Sequence, residues 1–407
     1  MCIMARRAFL TCPGIEMQVL RPQNSEELAG LVQAALARKQ PLELVGGGSK
    51  RAIGRVAASE AVLDLSGFSG VTLYEPQELV LTAGAATPLS EIEALLAGSG
   101  QQLAFEPPNY NVLLGETASS TLGGVLAANL AGPRRFVAGA ARDHLLGFHA
   151  VSGRGEQFKA GGRVVKNVTG YDLSKLVCGS WGTLCALTQV SVKVLPRAEH
   201  TATLLFEEPS VQRAINAMAL AMGSPQEVSG AAYLPVSLGE GTSVIALRLE
   251  GVEGSVAFRA DAICNLLAAF GAPTRLEPAA SIAFWQRLRD AVPLAEPRDK
   301  AVWKVSVPPA SGAALLEALP EARCFMDWAG GLVWLALAPS AAEATRLHDV
   351  VARLGGHATL IRASERLRRE VDVFQPQMQA VAMLSKRIKE NFDPEGIFNP
   401  GRMYPDI

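Results

Sequence analysis

From Thr188 onward apolar and polar positions alternate. Val190, Val192 and Val194 point one way, Ser191 and Lys193 the other, which predicts a half-buried strand. Ahead of it a strand-like run over residues 163–166 stops at Asn167, and Gly170 and Tyr171 turn the chain. Asp172 then caps a short helix that Gly179 ends. Near the start the period is helical instead. Leu28, Leu31, Val32, Ala35 and Leu36 share one face of a helix that Asn24 or Ser25 caps and that runs to residue 38. Strands are predicted at 41–45, 61–65, 71–74 and 79–83, and a helix at 89–96 with Pro88 in its first turn. This alternation favours an α/β or α+β domain.

The pattern changes at about Arg197. Strand 201–206, helix 211–222, strands 230–234 and 243–249 and helix 255–270 give a βαββαβ-like order. Such an order predicts a small antiparallel sheet with helices on one face. Strands at 303–307 and 331–337 flank a helix at 310–319, with a further helix at 341–354, and no internal repeat is visible. Residues 379–391 form an amphipathic helix carrying Lys386, Arg387 and Lys389. The segment from Phe392 to Gly401 combines Pro–Gly turns with two phenylalanines and predicts a docked tail.

Composition narrows the class. A chain of 407 residues exceeds one ordinary domain. Its net charge of -1 and 49% hydrophobic content give no electrostatic case for nucleic acid. Cys2, Cys12, Cys178, Cys185, Cys264 and Cys324 form no CxxC pair, so no zinc site, cluster or disulfide framework is implied. Reduced thiols in a cytoplasmic protein are expected. No apolar run approaches the roughly 18 residues of a membrane span. The apolar part of residues 1–16 is short and broken by Pro13, which argues against an export signal.

The candidate chemistry lies where side chains are small. Gly46, Gly47 and Gly48 follow a strand and leave main-chain N–H groups free to converge on an anion, with Ser49 and Lys50 adding donors; a plain hairpin or loop is the alternative. Residues 117–124 are nearly all small, which suits a closely approaching planar ligand or a tightly packed helix start. A dinucleotide GxGxxG would need glycine where Arg51 stands, and the P-loop spacing is absent.

These pieces resemble the vanillyl-alcohol-oxidase type of FAD-binding protein, also called PCMH-type. The closing Phe398–Gly401 belongs to that resemblance, and more narrowly the Phe105–Pro108, Gly132–Arg135, Arg142–Asp143, Lys166–Asp172 and Lys193–Pro196 stretches are similar to the GlcE-type FAD-binding subunits of bacterial glycolate oxidase. The resemblance implies an α+β fold. A two-part FAD-binding domain would span 17–197 after an extension over 1–16. An α+β cap with an antiparallel sheet would span 198–375, and a C-terminal segment over 376–407 would return to the flavin domain. It implies that Gly46, Gly47, Gly48, Ser49 and Lys50 hold the pyrophosphate through main-chain N–H groups, and that Thr117, Ala118, Thr121, Gly123 and Gly124 pass along the flavin and ribityl chain. Asp143, Gly170, Tyr171, Asp172, Gly182, Thr183 and Val190 would complete the cradle, with Asn399 near the ring. Ser49 stands where covalently flavinylated relatives carry a histidine, so the FAD is expected to be non-covalent.

Departures shape the functional expectation. The five histidines contain no His-x-His metal pair, so no metal is expected. Trp181 takes the place of a glutamate found in related hydroxy-acid dehydrogenases, and Cys185 replaces a glycine. The resemblance therefore implies an FAD-binding subunit of a multi-subunit glycolate oxidase. Its partners would be a sister FAD-binding catalytic subunit and an iron–sulfur subunit, its substrate class a small 2-hydroxy acid, and its location cytoplasmic, meeting the inner membrane through the complex. Two alternatives stay open. One is a free-standing 2-hydroxy-acid oxidoreductase in which Arg362 or another arginine binds the substrate carboxylate; the other is a flavin-free structural subunit.

Overall fold

The computed structural model describes residues 17–163, 170–238 and 241–407. The expected extension over 1–16, most of the expected strand 163–166 and the part of the motif before Gly170 lie outside the described residues.

The front half contains two sheets. β1 (Gln18–Leu20), β2 (Leu42–Val45) and β3 (Ala61–Asp64) are parallel, in the order β1-β3-β2. Parallel strands need a crossover, and helix Ser25–Arg38 supplies the one from β1 to β2. Asn24 caps it by accepting from the Glu27 N–H, and Leu28, Val32 and Ala35 are its buried face. The second sheet is antiparallel. It contains β4 (Val71–Glu75) and β5 (Val80–Gly84), and, beyond the two-residue β6 (Gln101–Gln102), β7 (Leu145–Ser152), β8 (Gln157–Gly161) and β9 (Cys185–Lys193). The order β4-β5-β9-β7-β8 puts β9 at the centre. The Val190, Val192 and Val194 face is fully enclosed, while on the other face Ser191 is buried and Gln189 and Lys193 are half-buried. The Ser191 hydroxyl is satisfied by Thr82 Oγ1 at 2.8 Å rather than by water.

After β10 (Leu195–Pro196), which pairs with β6, the chain builds the rear sheet. It consists of β11 (His200–Glu207), β12 (Gly230–Leu234), β13 (Val244–Gly251), β14 (Thr274–Leu276), β15 (Ala301–Ser306), β16 (Arg323–Asp327), β17 (Leu332–Leu337) and β18 (His357–Arg362). All eight strands join one antiparallel sheet in the order β14-β11-β13-β12-β16-β17-β15-β18. The expected small sheet is thus a large one. It is also a repeat that the sequence hides: β11–β14 and β15–β18 each run βαββαβ, with strand order 4-1-3-2 in the first unit and 2-3-1-4 in the second. The two units meet through their second strands, β12 and β16, where Tyr233 pairs with Met326.

The period-2 alternation of each strand separates two cores. Ala231 and Tyr233, Ile245, Leu247 and Leu249, and Trp303 and Val305 pack against helices Val211–Met222, Glu253–Leu266, Gly312–Ala318 and Ala341–Arg353. Intervening positions such as Ala232, Ala246, Val302, Phe325 and Trp334 face helix Pro278–Arg289 and the front half. That same face carries Arg248 and Glu250, which lock onto the front half in a buried four-member ion network. Arg134 Nη1 lies 2.8 Å from Glu106 Oε1, and Arg134 Nε donates to Glu250 Oε2 at 2.8 Å. Arg248 Nη1 donates to Glu106 Oε1 at 2.9 Å. Burial pushes the Glu250 carboxyl up, but the hydrogen bond from Arg134 and the charges of Arg248 and Arg134 outweigh it and hold the group at about 2.

The C-terminal helix Gln379–Phe392 ends in a latch. Lys389, one of the three basic residues of this amphipathic helix, is only 5% exposed. Its ammonium donates to Asp393 Oδ2 at 2.6 Å and to the carbonyls of Thr183 (2.7 Å) and Phe398 (2.9 Å). The expected docking of the tail is seen in Ile397 and Phe398, which are buried against β2; Leu42 N–H donates to the Ile397 carbonyl at 2.7 Å.

Candidate functional site

An open cleft runs between the two front sheets, lined by the turn after β2, the start of helix Leu122–Ala127, β9 and the tail. Its floor is the turn that follows β2. Gly47 has no room for a side chain there, because a Cβ would run into the Ser119 carbonyl. Gly48 adopts a φ of 86°, in the region that favours glycine. The opposite wall is the start of helix Leu122–Ala127. Thr121 caps it, accepting from the Gly124 N–H at 3.3 Å, and Gly123 presses against Ala85.

The turn 179–182 closes one end. Gly179 and Trp181 N–H groups both donate to the Ala127 carbonyl at 2.9 Å. The tail then reaches in. Asn399 Nδ2 donates to the Trp181 carbonyl at 2.8 Å, its Oδ1 accepts from the Leu44 N–H at 2.9 Å, and its own N–H bonds the Leu42 carbonyl at 2.9 Å. One side-chain amide therefore staples two walls of the cleft together. Trp181 packs edge-on against Phe374, centroids 5.5 Å apart, where the glutamate of the related dehydrogenases was expected to be missing.

The structure brings Gly46, Gly47, Gly48, Ser49, Lys50, Thr121, Gly123, Gly124, Gly182 and Asn399 together on this cleft. The other expected site residues lie elsewhere. Thr117 is exposed, and the Ala118 carbonyl accepts from Asn111 Nδ2 at 3.0 Å. Asp143 accepts from the Ala140 N–H at 2.8 Å, while Gly170 and Tyr171 are exposed, Tyr171 at 94%. Asp172 caps helix Leu173–Val177. Thr183 Oγ1 donates to the Ser180 carbonyl at 2.7 Å, and the Val190 side chain is in the core. Arg362, the expected carboxylate binder, is spent on main-chain carbonyls: Ala295 at 2.6 Å, Pro297 at 2.9 Å and Leu113 at 3.1 Å.

The cleft also has lining residues outside the expected site set. Cys185 and Leu187 line it from β9, and burial pushes the Cys185 thiol up to about 12, so it is an apolar wall rather than a nucleophile. Arg402 lines it from the tail. Burial pushes the Lys50 ammonium down to about 8, and among the described residues neither Lys50 nor Arg402 forms an ion pair with a carboxylate. A second cluster stands on the rear sheet, where Trp328 lies between the Arg135 guanidinium (4.4 Å) and the Lys304 ammonium (5.3 Å). Burial pushes Lys304 down to about 8 and the neighbouring Asp327 up to about 7. Among the described residues no group of three or more His, Cys, Asp or Glu side chains could hold a metal ion.

The cleft fits a ligand with a flat body and a doubly negative linker. Side-chain-poor walls admit the first, and a glycine turn flanked by the Lys50 and Arg402 cations suits the second. Comparisons agree with that geometry. The family described as FAD binding domain matches residues 17–161. The chain is 38% identical over 383 residues to glycolate oxidase subunit GlcE of Escherichia coli, covering 94% of this chain and 98% of that protein. It is 28% identical to an uncharacterized FAD-linked oxidoreductase of Mycobacterium tuberculosis, covering 95% of this chain and 90% of that one. In fold it is similar to p-cresol methylhydroxylase, with a TM-score of 0.70 at 13% identity over 96% of this chain and 88% of that one.

Proposed function

Because the chain belongs to the GlcE-type family of FAD-binding glycolate oxidase subunits, a family of FAD-linked oxidoreductases, we propose that it is the FAD-carrying subunit of an assembly that oxidises a small 2-hydroxy acid, glycolate first, to the 2-oxo acid. Likeness extending over 94% of this chain and 98% of the Escherichia coli subunit carries the reading, since that extent takes in both the cleft and the rear sheet behind it.

The FAD supplies two-electron redox chemistry when bound, and the protein's part is to hold and shield it. Gly46 to Gly48 offer main-chain donors, Thr121 to Gly124 a wall without bulk, and Asn399 fixes the spacing of the two walls. Ser49 is buried and accepts from Lys50 Nζ at 3.2 Å. It has neither the imidazole nor the thiol of a covalent attachment, so the FAD is held non-covalently. A sister flavoprotein subunit oxidises the substrate and an iron–sulfur subunit takes the electrons. The relatives named as glycolate oxidase subunits include one called GlcD, in Bacillus subtilis, which supports the sister subunit.

Gentle purification of the tagged chain from native extract tests this. The expected product is a yellow assembly holding a second flavoprotein and an iron–sulfur protein, with glycolate-dependent dye reduction that the isolated chain lacks. Full dye reduction by the chain alone would make it a free-standing oxidoreductase. An isolated chain that takes up no FAD would make it a structural subunit.

A further inference from the structure

Two cations reach the cleft, and among the described residues neither forms an ion pair with a carboxylate. Lys50 Nζ donates to the hydroxyls of Ser120 at 2.6 Å and Ser49 at 3.2 Å. Arg402 arrives from the tail and is 7% exposed. Its Nη2 donates to the Lys50 carbonyl at 2.7 Å, which puts guanidinium and ammonium on the same turn, and its Nε is buried without a partner. The carboxylate of Glu43 is engaged by Arg51 through Nε, at 2.8 Å, and Nη2. Arg368 Nη1 closes on the Gly54 carbonyl at 3.1 Å, adding a third positive group behind the turn. Enclosed charges of one sign are costly unless an opposite charge enters with the ligand. FAD brings two negative charges, both on its diphosphate.

We propose that Lys50 and Arg402 are the counter-charges of the FAD diphosphate, so that the site is built from the glycine turn and from the C-terminal tail together. The inference rests on the reading of this cleft as the FAD site. It replaces a pyrophosphate held by main-chain N–H groups alone with one also clamped by side chains far apart in the chain. It also gives the tail a direct hold on the cofactor beyond its packing on β2.

The test uses the cofactor-free full-length chain with FAD, ADP and riboflavin as separate probes, read by flavin fluorescence and by ADP competition. Lys50→Met and Arg402→Met are each expected to weaken FAD and ADP at least tenfold while riboflavin binding stays within twofold. Lys50→Arg is expected to recover most of the FAD affinity. Unchanged thermal melting of the cofactor-free variants identifies those that fold, and Lys50→Gln serves where Met does not. Equal losses for FAD and riboflavin, or a shifted flavin reduction potential with FAD affinity unchanged, would place these cations at the ring and overturn the proposal. Wild-type affinity for FAD and ADP in both variants would overturn it too. Failure of the wild-type chain to bind FAD would instead remove the FAD reading itself.

Discussion

Replacing Arg134 by methionine removes one member of the ion network that joins the front half to the rear sheet. Glu250 would be left enclosed with Arg248 as its remaining cation, 3.4 Å away, which must also serve Glu106. Losing one partner of a buried pair costs about 3–5 kcal/mol. The Glu250 carboxyl gives an independent figure. Holding it at about 2 instead of the ordinary 4.5 corresponds to roughly 3 kcal/mol at neutral pH. Because the folded value is depressed, this contribution is complete above pH 4.5 and is lost as pH falls towards 2. Urea denaturation followed by tryptophan fluorescence reads the effect, since Trp285 stacks on Arg248, 4.7 Å away. The first transition should drop by about 3 kcal/mol in Arg134→Met at pH 7, and the gap from wild type should shrink to roughly half by pH 3. Removing Glu250 as well, in Arg134→Met/Glu250→Met, should recover much of the loss because no unpaired charge remains there. A single variant costing under about 1 kcal/mol, or a double variant as weak as the sum of the singles, would refute the account.

Three other outcomes are expected. Gly47→Ala should leave the chain folded but cut the flavin-to-protein ratio of the purified chain at least tenfold, measured by absorbance, because the added Cβ meets the Ser119 carbonyl. Lys389→Met should leave Asp393 buried without its cation, costing on the order of 3 kcal/mol, and open residues near 393–402 to limited proteolysis read by mass spectrometry. FAD affinity should weaken above about pH 8, where the cofactor-free Lys50 loses its proton; the fall should be missing in Lys50→Arg, in a titration by fluorescence between pH 6.5 and 9.5. Arg51, hydrogen-bonded to Glu43, stays charged through that window, whereas burial pushes the Arg402 guanidinium down to about 10, so its loss of charge enters only at the top of the window.

Local order was readable in the chain because local rules govern it. The Asn24 cap, the helix over Val211–Met222 and the Asp172 cap follow from side chains within four residues of one another. So does the glycine turn, whose lack of bulk is visible in the letters themselves. What stayed hidden depends on partners distant in sequence. Nothing near residue 191 says that β9 is central, so Ser191 reads as a solvated position although its hydroxyl is paired with that of Thr82, 109 residues earlier. Lys389 has the spacing of a surface lysine, and its burial is decided by the carbonyls of Thr183 and Phe398. Arg402 lies outside every motif, yet the tail carries it to Lys50 across 352 residues. In sequence, Arg362 is a candidate carboxylate binder near the cap–flavin boundary, and the main-chain carbonyls of Leu113, Ala295, Pro297 and Lys300 take its donors. The rear repeat escaped because its two units share a topology without shared letters.

That repeat sets where the rear sheet can be divided. Each four-strand unit holds its own hairpins and its own pair of helices, and the only in-register partners across the join are Tyr233 and Met326 among the described residues. The loop around Glu296–Lys300 is the sole covalent bridge between the units. A cut there severs no strand from its neighbours, so two separately made fragments, ending and beginning in that loop, have the parts they need to find each other and rebuild the sheet.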